Sequence, residues 1–181
     1  MPTYKGQAPP ADPNLAWYNL WVDTANHLIY QELALEADGN RKRWEIFTVG
    51  TAFFFSIATL IFSLVGQEWS VVVTRISAAV TVLLSGLGGI LQLRETAKEL
   101  KAHRDRLFDL SYQSERVWRL ARSPSQQQRA RVEAEAADKT RLSIRQAAPL
   151  FKVPDAVAVT CFQRASKILT DRYNYKQKDA Q

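Results

Sequence analysis

Ser77, Thr81, Ser85 and Gly89 recur every fourth residue inside an apolar part of the chain, and Thr74 and Gln92 extend the row at its two ends. On a helix this spacing places small and hydroxyl-bearing side chains on one face, and Gly86 and Gly88 widen it. Two chemistries fit such a stripe. It can pack against another helix, because small residues let backbones approach and hydroxyls bond across the contact or back to their own carbonyls. Alternatively, several copies can assemble so that the stripe lines a water-filled path. Hydroxyls alone pass ions with little selectivity, since a selective filter needs ordered carbonyls or rings of charge. A ring candidate is Arg75, which otherwise extends to lipid headgroups and pairs locally with Glu68.

Enzymatic chemistry has no visible foothold. There is no Gly-rich phosphate loop ahead of a helix, no nucleophile elbow, no HExxH and no CxxC. The single cysteine, Cys161, cannot form an internal disulfide or a metal cluster. It falls on the apolar side of an amphipathic helix, which suits a buried structural thiol. His27 and His103 lie far apart, without Cys, Asp or Glu at ligand spacing. His103 reads as a packed or pH-responsive residue. The expectation is a protein with no catalytic, cofactor-binding or metal-binding residues.

The elements that carry the stripe are two uncharged runs in a chain of 181 residues, 21 positions from Ile46 to Gly66 and 18 from Ile76 to Leu93. A bilayer core requires about 20 mostly apolar residues in a helix. The first run meets this directly. The second is about 27 Å long at about 1.5 Å per residue, and it spans comfortably if Val71–Arg75 lies in the interface. Arg41, Lys42 and Arg43 precede the first run, and Arg94, Lys98, Lys101, Arg104 and Arg106 follow the second, while the connecting tip carries only Arg75. By the positive-inside rule both ends face the cytoplasm. Arg43, Trp44, Glu68, Trp69 and Arg75 are the expected membrane-interface residues, with the two tryptophans at opposite surfaces. The net charge of +6 beside apolar spans favours an anionic lipid surface. Nucleic acid is not expected as a partner, for no recognised binding motif accompanies the charge. Two soluble alternatives are a buried αα-hairpin and a basic helical domain that binds nucleic acid.

The rest of the chain reads as helix. Residues 1–13 form a flexible, Pro-rich tail without a signal peptide. Asn14 then caps a helix over 14–40 whose apolar face is Leu15, Tyr18, Trp21, Val22, Ala25, Leu28, Ile29 and Leu33. Asp38-Gly39-Asn40 is a stop signal. Residues 41–93 hold the hairpin, with spans of about 46–66 and 71–93. Thr48, Ala52, Ser56, Thr59 and Ser63 give the first span a small-residue stripe of its own. The helical region 94–172 opens with two heptad rows, Leu93, Leu100, Leu107, Ser114 and Ala121 beside Thr96, His103, Leu110 and Val117. This is a coiled-coil-like seam weakened at Thr96, His103 and Ser114. Phe108, Tyr112 and Trp118 form a second stripe to receive the Trp21 face. The helix ends near Arg122 at Ser123-Pro124-Ser125; a further helix of little apolar surface follows, then one from about Pro154, then a tail over 173–181. The fold class is all-α, a two-helix transmembrane hairpin extending into a cytosolic helical bundle.

This pattern resembles the SLATT family of bacterial two-transmembrane effectors. The likeness runs from Arg43-Trp44 through the two spans and the tight tip. It continues through "LQLRETAKELKAHRDRLFDLSYQSERVW" and ends with "APLFKVPDAVAVTCFQRASKIL", covering roughly residues 15–172. The resemblance implies an inner-membrane protein that forms homo-oligomers and breaches the membrane in an abortive-infection defence. It implies a trigger that comes from a signalling partner protein or a nucleotide second messenger and acts on the cytosolic helices. A non-enzymatic membrane scaffold whose helices dock a partner is the alternative.

Overall fold

The computed structural model describes residues 11–64, 71–72, 75–80, 88–149 and 151–173. They are helical apart from short turns, with no strand among them. The helices are α1 (Pro13–Leu64), α2 (Gly88–Ala121), α3 (Gln127–Gln146) and α4 (Asp155–Tyr173), with a 3-10 turn at Pro124–Gln126. Residues 71–72 and 75–80 are also helical, so Val71 and Val72 do not follow their strand propensity. The chain divides into two compact units, Met1–Leu33 with Leu100–Gln181, and Ala34–Glu99.

In the first unit four helical segments pack antiparallel in chain order. Trp17 meets Trp118 while Tyr30 meets His103, which runs α1 against α2. Ser114 meets Arg141 while Arg116 meets Glu133, which runs α2 against α3. Trp17 meets Tyr173 while Trp21 meets Phe162, which runs α1 against α4. The heptad rows of α2 are buried from Leu100 to Ala121, including His103 and Ser114. α3 contributes Ala130, Ala137 and Ile144 at heptad spacing, and the two small alanines let its backbone approach its neighbours.

Several local expectations are corrected. The cap of α1 is Asp12 rather than Asn14: its Oδ1 accepts the Asn14 N–H at 2.8 Å, with Pro13 in the first helical position. The inward row of α1 is Ala16, Leu20, Asp23, His27 and Tyr30, at four-three steps, while Leu15 and Tyr18 remain 58% and 55% exposed. Trp21, Ala25, Leu28 and Ile29 do pack inward, against α4. Phe108 and Tyr112 are exposed, and Trp118 is buried beneath Trp17 and Tyr173 instead of Trp21. Trp21 donates its indole N–H to the Phe162 carbonyl at 3.2 Å.

In the second unit Asp38-Gly39-Asn40 does not end the helix, and α1 continues to Leu64. Asp38 bridges to Arg41 at 3.1 Å and to Lys42 at 3.2 Å, the (i, i+3) and (i, i+4) pairs that support a helix across its weakest residues. A Cβ at Gly39 would meet nothing within 4 Å. Replacing Gly39 by Ala therefore removes backbone entropy without a clash and should stabilise the fold by about 1 kcal/mol. Thermal unfolding of the full chain in detergent, followed by circular dichroism, measures this; a lower midpoint for Gly39→Ala would contradict a helical residue 39.

Candidate functional site

Two features of the structure have functional potential, one in each unit. In the second unit, α1 exposes Ile46, Phe47, Val49, Phe53, Phe54, Ile57, Leu60 and Ile61. Soluble proteins rarely leave so continuous an apolar surface in water. Among the described residues α1 is the one helix long and apolar enough to cross a membrane; its most apolar 18-residue window has a mean hydropathy of 1.6, with none of that window buried.

Every hydroxyl between Ile46 and Ile61 donates to its own helix four residues back: Thr48 to Trp44 at 2.7 Å, Thr51 to Phe47 at 2.7 Å, Ser56 to Ala52 at 2.8 Å and Thr59 to Phe55 at 2.8 Å. Such bonds satisfy a hydroxyl where no water is at hand. The less exposed side of this stretch is the row Glu45, Thr48, Ala52, Phe55 and Thr59. It alternates steps of three and four, and so differs from the expected small-residue stripe by turning Ser56 outward. Thr59 also meets Ser77, Oγ to Oγ at 2.6 Å.

Of the residues singled out in the polar stripe, Ser77 is thus placed in a helix contact, and it is buried. Thr74, Thr81 and Ser85 lie outside the described residues, as do Glu68 and Trp69 at the tip. Gly89 and Gln92 lie in the first turns of α2, and the Gln92 side chain also lies outside the described part. Arg43, Trp44 and Arg75 are exposed, and Trp44 packs edge-on to Phe47 at 5.9 Å.

The first unit encloses a polar network that the sequence reading missed. Asp23, 1% exposed, accepts Ser114 Oγ–H at 2.6 Å on Oδ2. Arg141 donates to the same carboxylate through Nε at 3.1 Å and Nη2 at 2.7 Å, a two-pronged pairing. Nη2 also reaches Ser114 Oγ at 3.2 Å, and Nη1 pairs with Asp138. Burial works against the charged guanidinium, and the hydrogen bonds and charge of Asp23 outweigh it, so Arg141 is held above its ordinary value. A cavity of about 20 Å³ beside the network is lined by Asn19, Ser114, Asp138 and Arg141, among others. That is room for one water molecule with polar partners.

His103 packs against Tyr30 with ring centroids 4.3 Å apart and planes tilted by 49°. Its Nδ1 is buried and finds no hydrogen-bond partner among the described residues. Burial, and secondarily Arg106, holds its pKa below the ordinary 6.5. Cys161 is buried against α1, and burial, then the charge of Glu32, pushes its thiol up and away from reactivity.

Two predictions follow from this packing. Asp23→Ala leaves Arg141 without its main partner in a partly buried site, and should cost about 3 kcal/mol in thermal or denaturant unfolding. His103 is neutral in the fold and takes up a proton more readily when unfolded. Its contribution is therefore complete above about pH 6.5 and declines as the pH falls through that value. The unfolding midpoint should drop between pH 7.5 and 5.5, and His103→Phe should flatten that slope; an unchanged slope would remove His103 from the account.

Compared with protein-family models, with curated proteins and with solved structures, the chain finds no match.

Proposed function

We propose that the chain is a membrane effector in which residues of about 46–66 and 71–93 form a two-helix transmembrane hairpin, with both termini cytoplasmic. The observation that carries this reading is the exposed apolar surface of α1, on which each hydroxyl between Ile46 and Ile61 bonds to its own backbone. The Thr59–Ser77 hydrogen bond supports a second helix returning alongside the first. Arg41–Arg43 ahead of the first span and Arg94, Lys98 and Lys101 after the second support the orientation.

In this reading copies of the hairpin assemble in an anionic membrane, and the stripe of Thr74, Thr81 and Ser85 lines the opening through which it is breached. The likeness to the SLATT family supports an abortive-infection setting at the bacterial inner membrane, with a signalling protein or nucleotide as trigger. The second reading, a non-enzymatic scaffold that docks a partner on its cytosolic helices, draws on the Thr59–Ser77 bond, which makes at least one stripe position a packing contact.

Detergent but not high salt should extract the protein from membranes. Purified protein assembled in anionic liposomes should release a small entrapped dye, and Thr81→Leu with Ser85→Leu should reduce the release severalfold without loss of insertion. Insertion with intact vesicles under every assembling condition would sink the effector reading and leave the scaffold.

A further inference from the structure

At the end of the first unit that holds the first turn of α1, the ends of α2 and α4 place Arg119 and Arg172 on one carboxylate, with Arg122 on the adjoining Trp118 ring. Glu115 has a side chain only 12% exposed, and its two oxygens serve two different guanidinium groups. Oε1 accepts from Arg119, and Oε2 accepts from Arg172 at 3.4 Å. Arg119 lies over the Tyr173 ring, 5.8 Å from its centroid, and reaches the Tyr173 hydroxyl at 3.5 Å. Arg122 lies over the Trp118 ring at 5.1 Å. Arg116 beside them is taken up by Glu133 at 2.8 Å and adds nothing to the excess.

We propose that Arg119, Arg122 and Arg172 form a binding site for a phosphate group. Arg119 and Arg172 share the Glu115 carboxylate and Arg122 rests on a ring, which leaves two positive charges among the three arginines, and a phosphate monoester carries nearly two negative ones at neutral pH. The aromatic rings and Glu115 already restrain the arginines, so less freedom is lost when they close on a ligand. Arg119 and Arg172 nevertheless remain 64% and 57% exposed, and a guanidinium carries five N–H donors. A guanidinium fork matches a phosphate edge with two parallel hydrogen bonds. The ligand class is a phosphate monoester or pyrophosphate, carried either by a soluble molecule or by a lipid headgroup. The site stands apart from the proposed membrane activity, and its test needs no pore.

The test is calorimetric titration of the full chain in zwitterionic detergent at constant ionic strength, with inorganic pyrophosphate in one arm and phosphatidic acid in the micelles in the other. Binding should saturate in one arm and identify the source, soluble for pyrophosphate and lipid for phosphatidic acid. Arg122→Gln, which disturbs only a ring contact, and Arg119→Gln should each weaken it about tenfold. Glu115→Gln removes the competing carboxylate and should tighten it. No saturable binding in either arm overturns the proposal, as do equal affinities across the variants or a response reproduced by sodium chloride alone.

Discussion

A carboxylate that has been removed almost completely from water sets the arrangement of the helical bundle. Left alone, a carboxylate so buried would cost several kcal/mol. Its partners come from two other helices, Ser114 from α2 and Arg141 from α3. One buried charge thereby fixes the register of three segments at once. Displacing any of them along its axis by a single turn would separate the charges, whereas apolar contacts alone would tolerate many slips. Buried ion pairs add little net stability over well-packed apolar groups, and their best-attested use is this kind of registration. Tyr30 packed against His103, two turns further along the same interface, repeats the alignment with rings instead of charges.

The apolar part of α1 solves the opposite problem. There the polar groups turn back on their own helix, so each is satisfied locally and needs no distant partner. The Thr59 hydroxyl does both, bonding to the Phe55 carbonyl of its own helix and to the Ser77 hydroxyl. One helix thus carries two kinds of polar chemistry. Near Asp23 it is long-range and specific to one partner arrangement; between Ile46 and Ile61 it is self-contained and indifferent to the surroundings.

This difference explains what could be read from the sequence. The helical class and the heptad rows of α2 were visible because Leu, Val and Ala dominate them. The apolar run beginning at Ile46 was visible by length alone. The inward row of α1 was not, since hydrophobicity favoured Leu15 and Tyr18 over a row containing Asp23 and His27. A polar residue at a seam position can be read as a weakness or as half of a pair, and Ser114 was read as the former. The missing half lay 91 residues away and was itself polar. A signal was present: Ser114 in an otherwise apolar row asks for a buried partner, and Asp23 stands in phase with Ala16 and Leu20. Gly39 misled in another way, because the Asp38 ion pairs with Arg41 and Lys42 carry the helix over a residue that favours ending it.

The alanine face of α3 has a consequence for the order in which the bundle comes apart. Ala130 and Ala137 hide little apolar area, so hydrophobic burial holds α3 less firmly than it holds α2 with its leucines. Electrostatics supplies more of its attachment, through Arg141 on Asp23 and Glu133 on Arg116. Departure of α3 is therefore less costly than departure of α2, and it uncovers the Asp23 carboxylate. In hydrogen-exchange terms α3 should open ahead of α2, with a charge pair as its latch and the entry of water to the Asp23 carboxylate as the result of its release.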